Sequence, residues 1–114
     1  MDEFDIAIIE VREYTRFAQD ILCLEWDRAR ERLPTLSLGI NHVFGGLTIA
    51  HHAARLRMDQ TKPSEAHLDF VRAVIAQPGF DPTVAVPDTG ATPYDWALLT
   101  NNLSVAALLK PPGL

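Results

Sequence analysis

Four histidines are the side chains in this sequence with the clearest capacity for chemistry. His51 and His52 are adjacent, while His42 precedes them and His67 follows. Neighbouring residues point about 100° apart on a helix, so His51 and His52 would not face one metal ion together. No cysteine or carboxylate stands at a spacing typical of a zinc site. A metal-dependent enzyme is therefore only a weak alternative, and we expect no metal and no cofactor.

The sequence lacks the motifs of other common catalytic sites. Gly45 and Gly46 are not followed by the Lys-Ser or Lys-Thr pair of a phosphate-binding loop, and no Gly-x-Ser-x-Gly motif occurs. Carboxylate pairs such as Asp27 and Glu31 lie in charged segments, where solvation explains them better than general acid–base catalysis. We therefore predict a protein that is not an enzyme.

Size and charge restrict the class of protein further. The chain has 114 residues, of which 47% are hydrophobic, enough for one domain with its own core. Its formal net charge of −5 argues against a nucleic-acid binder, because phosphates require a basic surface. No apolar run approaches the roughly 20 residues that cross a bilayer, and acidic residues follow Met1 where a secretory signal has basic ones. We expect a cytoplasmic protein that binds neither nucleic acid nor a membrane.

The charges are unevenly distributed along the chain. Residues 1–27 contain eight acidic and two basic residues, whereas residues 28–62 contain six basic and two acidic ones. Solvated helix faces are the simplest interpretation. The alternative is a local basic patch that steers an acidic partner segment toward the middle of the chain.

Helical periodicity dominates the first third of the sequence. Residues 2–13 fit a helix or a strand, and we favour a helix that covers the first core layer as a lid. The stretch from Thr15 to Leu33 predicts two helices, with Thr15 as a cap and Pro34 as the stop. The lone Cys23 has apolar neighbours and is expected to be a small buried residue.

Two later segments share a pattern of a turn followed by a helix. The first runs from Gly46 to Ala54, and the second begins at Gly90 and continues to Leu109. Thr48 and Thr92 stand where a side-chain oxygen can satisfy a free backbone N–H at a helix start. Between them, Ser64 is expected to open a further helix, which ends before Pro78-Gly79.

This pattern resembles the ankyrin repeat, whose signature is Thr-Pro-Leu-His-x-Ala on a period of about 33 residues. In the first segment Ile49 and Ala50 replace the Pro and Leu of the signature, and in the second Asp95 stands where His is commonest. The resemblance implies an all-α fold, an ankyrin-like helical-repeat solenoid with projecting β-turns. The matching residues are Thr48, His51, Ala53 and Ala54 in the first segment, and Gly90, Thr92, Pro93, Ala97, Val105, Leu108 and Leu109 in the second.

The resemblance also divides the single domain 1–114 into units. Gly46 and Gly90 are 44 positions apart, longer than the family period of about 33, which predicts an insertion near 57–66. His51 is expected to form a hydrogen bond across the turn that links neighbouring repeats. The expected units are a lid and degenerate repeat in 1–36, a middle repeat in 37–89 and a C-terminal repeat in 90–110.

Ankyrin proteins bind partners through turn tips and the concave face of the first helices, which implies candidate contact residues here. Phe44, Leu56 and Leu99 are the expected apolar anchors, whereas Trp96 is expected to pack in the core. The positions assigned to partner binding are His42, Val43, Phe44, Leu47, Arg55, Leu56, Val86, Thr89, Ala91, Leu99 and Thr100.

The expected function is therefore a non-catalytic protein–protein interaction module, an adaptor or scaffold. A small inhibitor or immunity-type protein, which masks a toxin or enzyme with the acidic face of residues 1–27, is the alternative. Residues 96–109 contain no charge, although the end of a repeat stack needs a polar outer face. Either another molecule covers the last helix, or Asn101, Asn102 and Ser104 make its outer face polar enough. The first alternative predicts self-association through the C-terminal helix.

Overall fold

The computed structural model describes residues 2–56 and 60–113, and every regular element in these ranges is a helix. The segment Glu10–Tyr14 is π-helical, and Leu33–Thr35 forms a 3₁₀ turn. The α-helices are α1 Glu3–Ile9, α2 Thr15–Leu22, α3 Trp26–Arg32, α4 Ile49–Ala54, α5 Glu65–Ile75, α6 Pro93–Leu99 and α7 Leu103–Leu109. The prediction of an all-helical fold is confirmed.

Six of these helices form three successive pairs. The partners α2 and α3, α4 and α5, and α6 and α7 contact each other. In addition, α4 contacts both α2 and α6, while α5 contacts both α3 and α7. Equivalent helices of consecutive pairs therefore lie side by side, and the middle pair has a neighbour on each side.

The core runs through all three pairs and is centred on α4. Because α4 is covered on both sides, five of its six residues are buried, including Ala53 and Ala54. Aromatic rings fill the space between the first two pairs: Phe70 lies 6.1 Å from Phe17 and 5.6 Å from Trp26 between ring centroids. Small residues on α4 let its neighbours approach closely, and the large rings occupy the space beside them.

Side-chain oxygens cap the starts of α1, α4, α5 and α6. Asp2 caps α1 by accepting from the N–H of Asp5 at 2.9 Å. Thr48, Ser64 and Thr92 each accept a hydrogen bond from the backbone N–H three residues on, at 3.3, 3.1 and 3.2 Å respectively. These bonds satisfy donors that a helix start leaves free. The predicted caps at Thr48, Ser64 and Thr92 are confirmed.

Thr15 is the first residue of α2 but does not cap a helix start, which corrects the expected cap. The chain is already helical from Glu3, and the π-helical segment Glu10–Tyr14 carries it directly into α2. The helix ends instead near Leu24, whose φ of 60° lies in the left-handed region and turns the chain toward α3. The prediction of two helices between Thr15 and Leu33 is confirmed.

The helix predicted for residues 2–13 is present, but α1 itself buries no residue. The side chain of Phe4 is 73% exposed and that of Val11 is 66% exposed. Ile9 is the first residue that packs against the core. Of α1, only the last residue therefore takes part in the expected lid over the first core layer, and Phe4 and Val11 stay open to solvent.

Cys23 is exposed, so its prediction as a buried residue is wrong. It occupies the C-terminal cap of α2, where the chain begins to turn away from the helix. Its neighbour Ile21 is buried and Leu24 packs partly against the core. Ile21 and Leu24 therefore take the inward positions, while Cys23 and the 69% exposed Leu22 lie outside.

The predicted insertion near 57–66 falls partly on residues 57–59, which lie outside the described residues. From residue 60 the chain reaches Ser64 without regular structure and enters α5 there. The position of an inserted loop at 57–59 stays a prediction.

Candidate binding surface

A two-residue hairpin turn precedes α4. The backbone N–H of Phe44 donates to the carbonyl of Leu47 at 2.9 Å, and the N–H of Leu47 donates back to Phe44 at 3.2 Å. The residues between them, Gly45 and Gly46, have φ of 60° and 84°. Positive φ at both central positions defines a type I′ turn, which glycine adopts without steric cost. The turn-like connection predicted before α4 is confirmed here.

A second closed turn precedes α6 in the same way. The N–H of Val86 donates to the carbonyl of Ala91, and the N–H of Gly90 donates to the carbonyl of Val86, both at 2.8 Å. Both α4 and α6 therefore follow a turn that hydrogen bonds close at its base.

His51 links the two turns. Its Nε2 lies 2.9 Å from the carbonyl oxygen of Ala91, and its Nδ1 lies 2.8 Å from Oγ1 of Thr48. Burial lowers the pKa of His51, although the carbonyl of Ala91 and the charge of Asp95 oppose this effect. The predicted hydrogen bond of His51 across the turn is confirmed. Asp95, at the corresponding position of α6, accepts a bond from the Thr92 N–H at 2.9 Å, as His51 Nδ1 does from the Thr48 N–H at 3.3 Å, and this bond lies within one helix start.

Asn41 provides a second connection that the sequence did not reveal. Its Nδ2 donates to the carbonyl of Gly79 at 2.6 Å, and its Oδ1 accepts from the N–H of Asp81 at 2.9 Å. The amide thereby fastens the chain before the first turn to the chain that leads to the second. In the sequence Asn41 is one turn residue among several, and nothing marks its distant partners.

The π-helical segment holds the chain that leads to the first turn. Glu10 Oε2 lies 2.7 Å from His42 Nε2, and this contact is an ion pair when His42 is protonated. Glu13 accepts hydrogen bonds from both the backbone N–H and the hydroxyl of Ser37, each at 2.7 Å. Because π-helical turns are wider than α-helical ones, they redirect side chains locally. His42, assigned to partner binding, is half-buried and engaged within the chain.

Tyr14 completes this anchorage from inside the core. Its hydroxyl donates to the carbonyl of Gly39 at 2.9 Å and accepts from the N–H of Leu38 at 3.2 Å. Burial raises the pKa of Tyr14 to about 12. The first turn is therefore held by buried and half-buried contacts on its α1–α2 side.

Phe44 and Val86 are core residues, which corrects their assignment to a partner-binding surface. The side chain of Phe44 is 9% exposed, and its ring lies 5.0 Å from that of Tyr14 and 5.1 Å from that of His52. Val86 is equally buried. The ring of Phe44 packs within the core, and both side chains are too buried to anchor a partner.

A groove of ≈350 Å³ opens where the α2–α3 turn meets the C-terminal ends of α4 and α6. We call it the Arg55 groove. Its apolar lining consists of Ile21, Leu22, Leu24, Trp26 and Leu56. Its polar lining consists of His52, Arg55 and Thr100. Arg55, Leu56 and Thr100, all assigned to partner binding, are thus brought together.

Local contacts fix the polar side of the Arg55 groove. The Arg55 guanidinium carbon lies 5.3 Å from the ring centroid of Trp96, within the range of a cation–π contact. Thr100 Oγ1 donates to the carbonyl of Trp96 at 3.1 Å and accepts from the N–H of Leu56 at 3.3 Å. Burial, together with the nearby Arg55 and His51, lowers the pKa of His52 to about 4. His52 is therefore neutral at physiological pH.

A second groove of ≈600 Å³ lies along α6 and the turn before it. Its lining includes Thr89, Ala91 and Leu99, which were assigned to partner binding, together with Trp96. Trp96 is half-buried and packs against the core as expected, yet part of its ring lines this groove. Because Arg55 lies over the same ring, the Arg55–Trp96 contact stands between the two grooves.

The residues assigned to partner binding therefore divide into separate groups. Six of these residues line the two grooves. Val43 is exposed at the first turn, and Leu47 is half-buried there. The surface that sequence reasoning missed is the α2–α3 turn, whose Leu22 and Leu24 form one wall of the Arg55 groove.

The remaining histidine also has a structural environment. His67 Nε2 lies 2.6 Å from the carbonyl oxygen of Ala53, and its ring stacks on Trp26 at 3.9 Å between centroids. Burial lowers the pKa of His67. Within residues 2–56 and 60–113, no three metal-ligating side chains come close enough to hold an ion.

No family model matches the chain, and no curated protein or solved structure matches it. The ankyrin resemblance therefore rests on the pattern of residues in the sequence. Within the described part of the chain, no helix combines the length and apolarity that a membrane crossing needs.

Proposed function

We propose that the protein is a non-catalytic protein-recognition module built as a short ankyrin-like solenoid. The observation that carries this proposal is a repeated arrangement: α4 and α6 each follow a closed turn, each begins at a capping threonine, and they contact each other. His51 joins the two units through the carbonyl of Ala91. Such nearest-neighbour contacts are the source of stability in repeat proteins.

The recognition surface in this proposal consists of the Arg55 groove and the groove along α6. Both are lined mainly by apolar side chains, and Leu99 at the end of α6 is 80% exposed. Exposed apolar patches with a polar border are typical of protein-interaction sites. Arginine and tryptophan, here the Arg55–Trp96 pair between the grooves, are the residue types enriched at interface hot spots.

Affinity capture from the native cell, followed by mass spectrometry, tests the proposal. Arg55→Ala and Leu99→Ala change exposed side chains on the two grooves, whereas Arg72→Ala changes an exposed side chain on α5 and serves as the matched control. We expect the wild type and the control to retain the same dominant protein and the groove variants to lose it, with helicity by circular dichroism unchanged. Retention by both groove variants would place recognition elsewhere, and no specific capture by the wild type would contradict the function.

An inhibitor or immunity-type protein, which masks a toxin or enzyme with the acidic face of residues 1–27, is a second candidate, favoured by exposed apolar side chains in that region. Phe4 on α1 and Val11 in the π-helical segment are exposed, and α1 also carries the acidic Glu3 and Asp5. An inhibitor of this kind would bind its target through the helical stretch from Glu3 to Tyr14. The variants Phe4→Ser and Val11→Ser should then abolish capture while Arg55→Ala retains it, the reverse of the result expected for the grooves.

A further inference from the structure

We propose that the Arg55 groove binds a partner segment in which a large aliphatic or aromatic side chain stands next to a carboxylate. The apolar side chain enters the groove, and the carboxylate pairs with Arg55 at its border. This inference rests on the proposed function and names the chemistry of the partner that the groove selects.

The size and lining of the groove indicate the apolar side chain of the partner segment. A volume of ≈350 Å³ is near the lower end of the range of roughly 300–1,000 Å³ for small-ligand sites, so it suits individual side chains better than a whole helix. The walls come from Leu22, Leu24, Trp26 and Leu56. Leu22 is 69% exposed and forms an apolar edge that a bound side chain would cover.

The charges along the groove indicate the carboxylate of the partner segment. Among the described lining residues, Arg55 is the only one that carries a charge at neutral pH, because His52 is neutral there and no carboxylate takes part. Glu25, next to Trp26 in sequence, is exposed and does not line the groove. A basic segment would therefore meet repulsion from Arg55, whereas an acidic one would meet attraction.

Arg55 is also held in a position that suits a carboxylate. Its guanidinium carbon lies 5.3 Å from the ring centroid of Trp96, a cation–π contact that depends on the positive charge. Such a contact does not require the N–H groups to be hydrogen-bonded, so they can bind the two oxygens of a carboxylate. The excess of basic residues in 28–62, which include Arg55, would favour the approach of an acidic segment.

The three helix pairs all contribute to this groove. The α2–α3 turn supplies Leu24 and Trp26, the end of α4 supplies Arg55, and the end of α6 supplies Thr100. The link between Thr100 Oγ1 and the N–H of Leu56 fixes the spacing of the last two walls. The site therefore exists only when the pairs are stacked, which explains how a short repeat protein gains a specific pocket.

A displayed library of random linear dodecapeptides, selected on the full chain, tests the proposal. We expect enriched peptides to place Leu, Ile, Met or Phe within two positions of Asp or Glu. The best peptide and its Asn or Gln counterpart are then synthesised and compared by calorimetry. The acidic form should bind about tenfold more tightly, since a charge-assisted bond is replaced by a neutral one.

Variants connect this preference to the groove. Arg55→Gln should remove the difference in affinity between the acidic peptide and its neutral counterpart. Leu22→Ser should weaken the binding of both peptides equally. Leu22 is largely exposed, so its replacement leaves the core intact, and circular dichroism verifies folding. Arg72→Gln, an exposed arginine on α5, is the control and should bind like the wild type.

Three results of the selection would overturn the proposal. The enriched peptides could be basic, they could be apolar with no preference for acidic residues, or no peptide could be enriched at all. An acidic preference that persists in Arg55→Gln would do the same. These outcomes differ from a failure of the proposed function: if the native partner is still captured through Leu99, recognition stands and only the assignment of the Arg55 groove is lost. If the wild type captures no protein, the function itself fails.

Discussion

His51 Nε2 lies 2.9 Å from the carbonyl oxygen of Ala91, a residue 40 positions further along the chain. A carbonyl can only accept, so Nε2 carries the proton, and Nδ1 is left to accept from Thr48, whose N–H and Oγ1 lie 3.3 and 2.8 Å away. One buried neutral imidazole therefore connects the start of α4 to the turn before α6.

His51→Ala should lower the free energy of unfolding by about 2–4 kcal/mol, because the change removes a buried ring and leaves the Ala91 carbonyl without its partner. Urea denaturation followed by circular dichroism measures the effect. Arg72→Ala, with an exposed side chain, should stay within about 0.5 kcal/mol of the wild type. A loss below about 1 kcal/mol for His51→Ala would mean that the link contributes little to the stacking of the helix pairs.

Stability should fall as the pH drops from about 7 toward 4. In the folded protein the pKa of His52 is lowered from 6.5 to about 4, so between these values the unfolded chain binds more protons. The stabilisation is therefore complete above pH 6.5 and decreases toward pH 4, by on the order of 3 kcal/mol for this group. Burial lowers the pKa values of His51 and His67 in the same direction.

Urea midpoints between pH 7 and pH 4.5 measure this dependence, and His52→Gln isolates the contribution of one group. The variant should show a shallower decline than the wild type because it cannot bind the additional proton. An equal decline in both proteins would show that His52 titrates normally in the fold.

The helix starts could be predicted from the sequence because each depends on neighbouring residues. Thr48 and Thr92 lie three positions before the N–H groups that they accept from, so a short pattern contains both partners. The all-helical class follows from periodicity for the same reason. The end of α2 was harder to predict, since a leucine at φ of 60° has no propensity signal of its own.

Much of the candidate site could not be predicted, because it depends on residues that meet only after folding. Phe44 lies in a turn-rich stretch for which exposure is expected, yet its side chain is buried because its ring packs against Tyr14 and His52. The sequence favours Asn102 as part of a polar outer face, but it is 1% exposed, and its Nδ2 donates to the carbonyl of Ala54 at 3.0 Å. No local pattern encodes such distant partners.

Asn102→Asp should destabilise the protein by about 3 kcal/mol at pH 7, because a buried carboxylate would face the Ala54 carbonyl in place of a donor. Burial would raise the pKa of the new carboxyl group above its ordinary value, so the difference from the wild type should shrink as the pH falls and the group is protonated. Urea denaturation of the wild type and of the variant at pH 7 and pH 5 measures the difference between their free energies of unfolding. Asn101→Asp, at an exposed position, is the control, and a similar cost for both would contradict the role of the buried amide.

Asn101 adopts a left-handed conformation, with φ of 58°, directly after the cap of α6. Asparagine tolerates this region better than residues with an ordinary β-carbon, and glycine is the commonest residue at this helix position. Asn101→Ala should therefore cost about 1 kcal/mol, whereas Asn101→Gly should be neutral or slightly stabilising. Thermal unfolding compares the stabilities of the two variants directly. An alanine variant as stable as the glycine variant would show that backbone strain at residue 101 does not affect the stability of the fold.

The apolar end formed by α6 and α7 should mediate self-association. Leu99 is 80% and Leu103 61% exposed, and residues 96–109 carry no charge, so two copies can meet there without burying like charges despite a net charge of −5. Light scattering of the wild type should show a mass that rises with protein concentration. The double variant Leu99→Glu, Leu103→Glu should stay monomeric, because self-association would then bury unpaired carboxylates. Phe4→Glu introduces the same charge on the exposed face of α1 and should associate like the wild type. A monomer mass at every concentration, or association lost only in Phe4→Glu, would exclude this end as the contact.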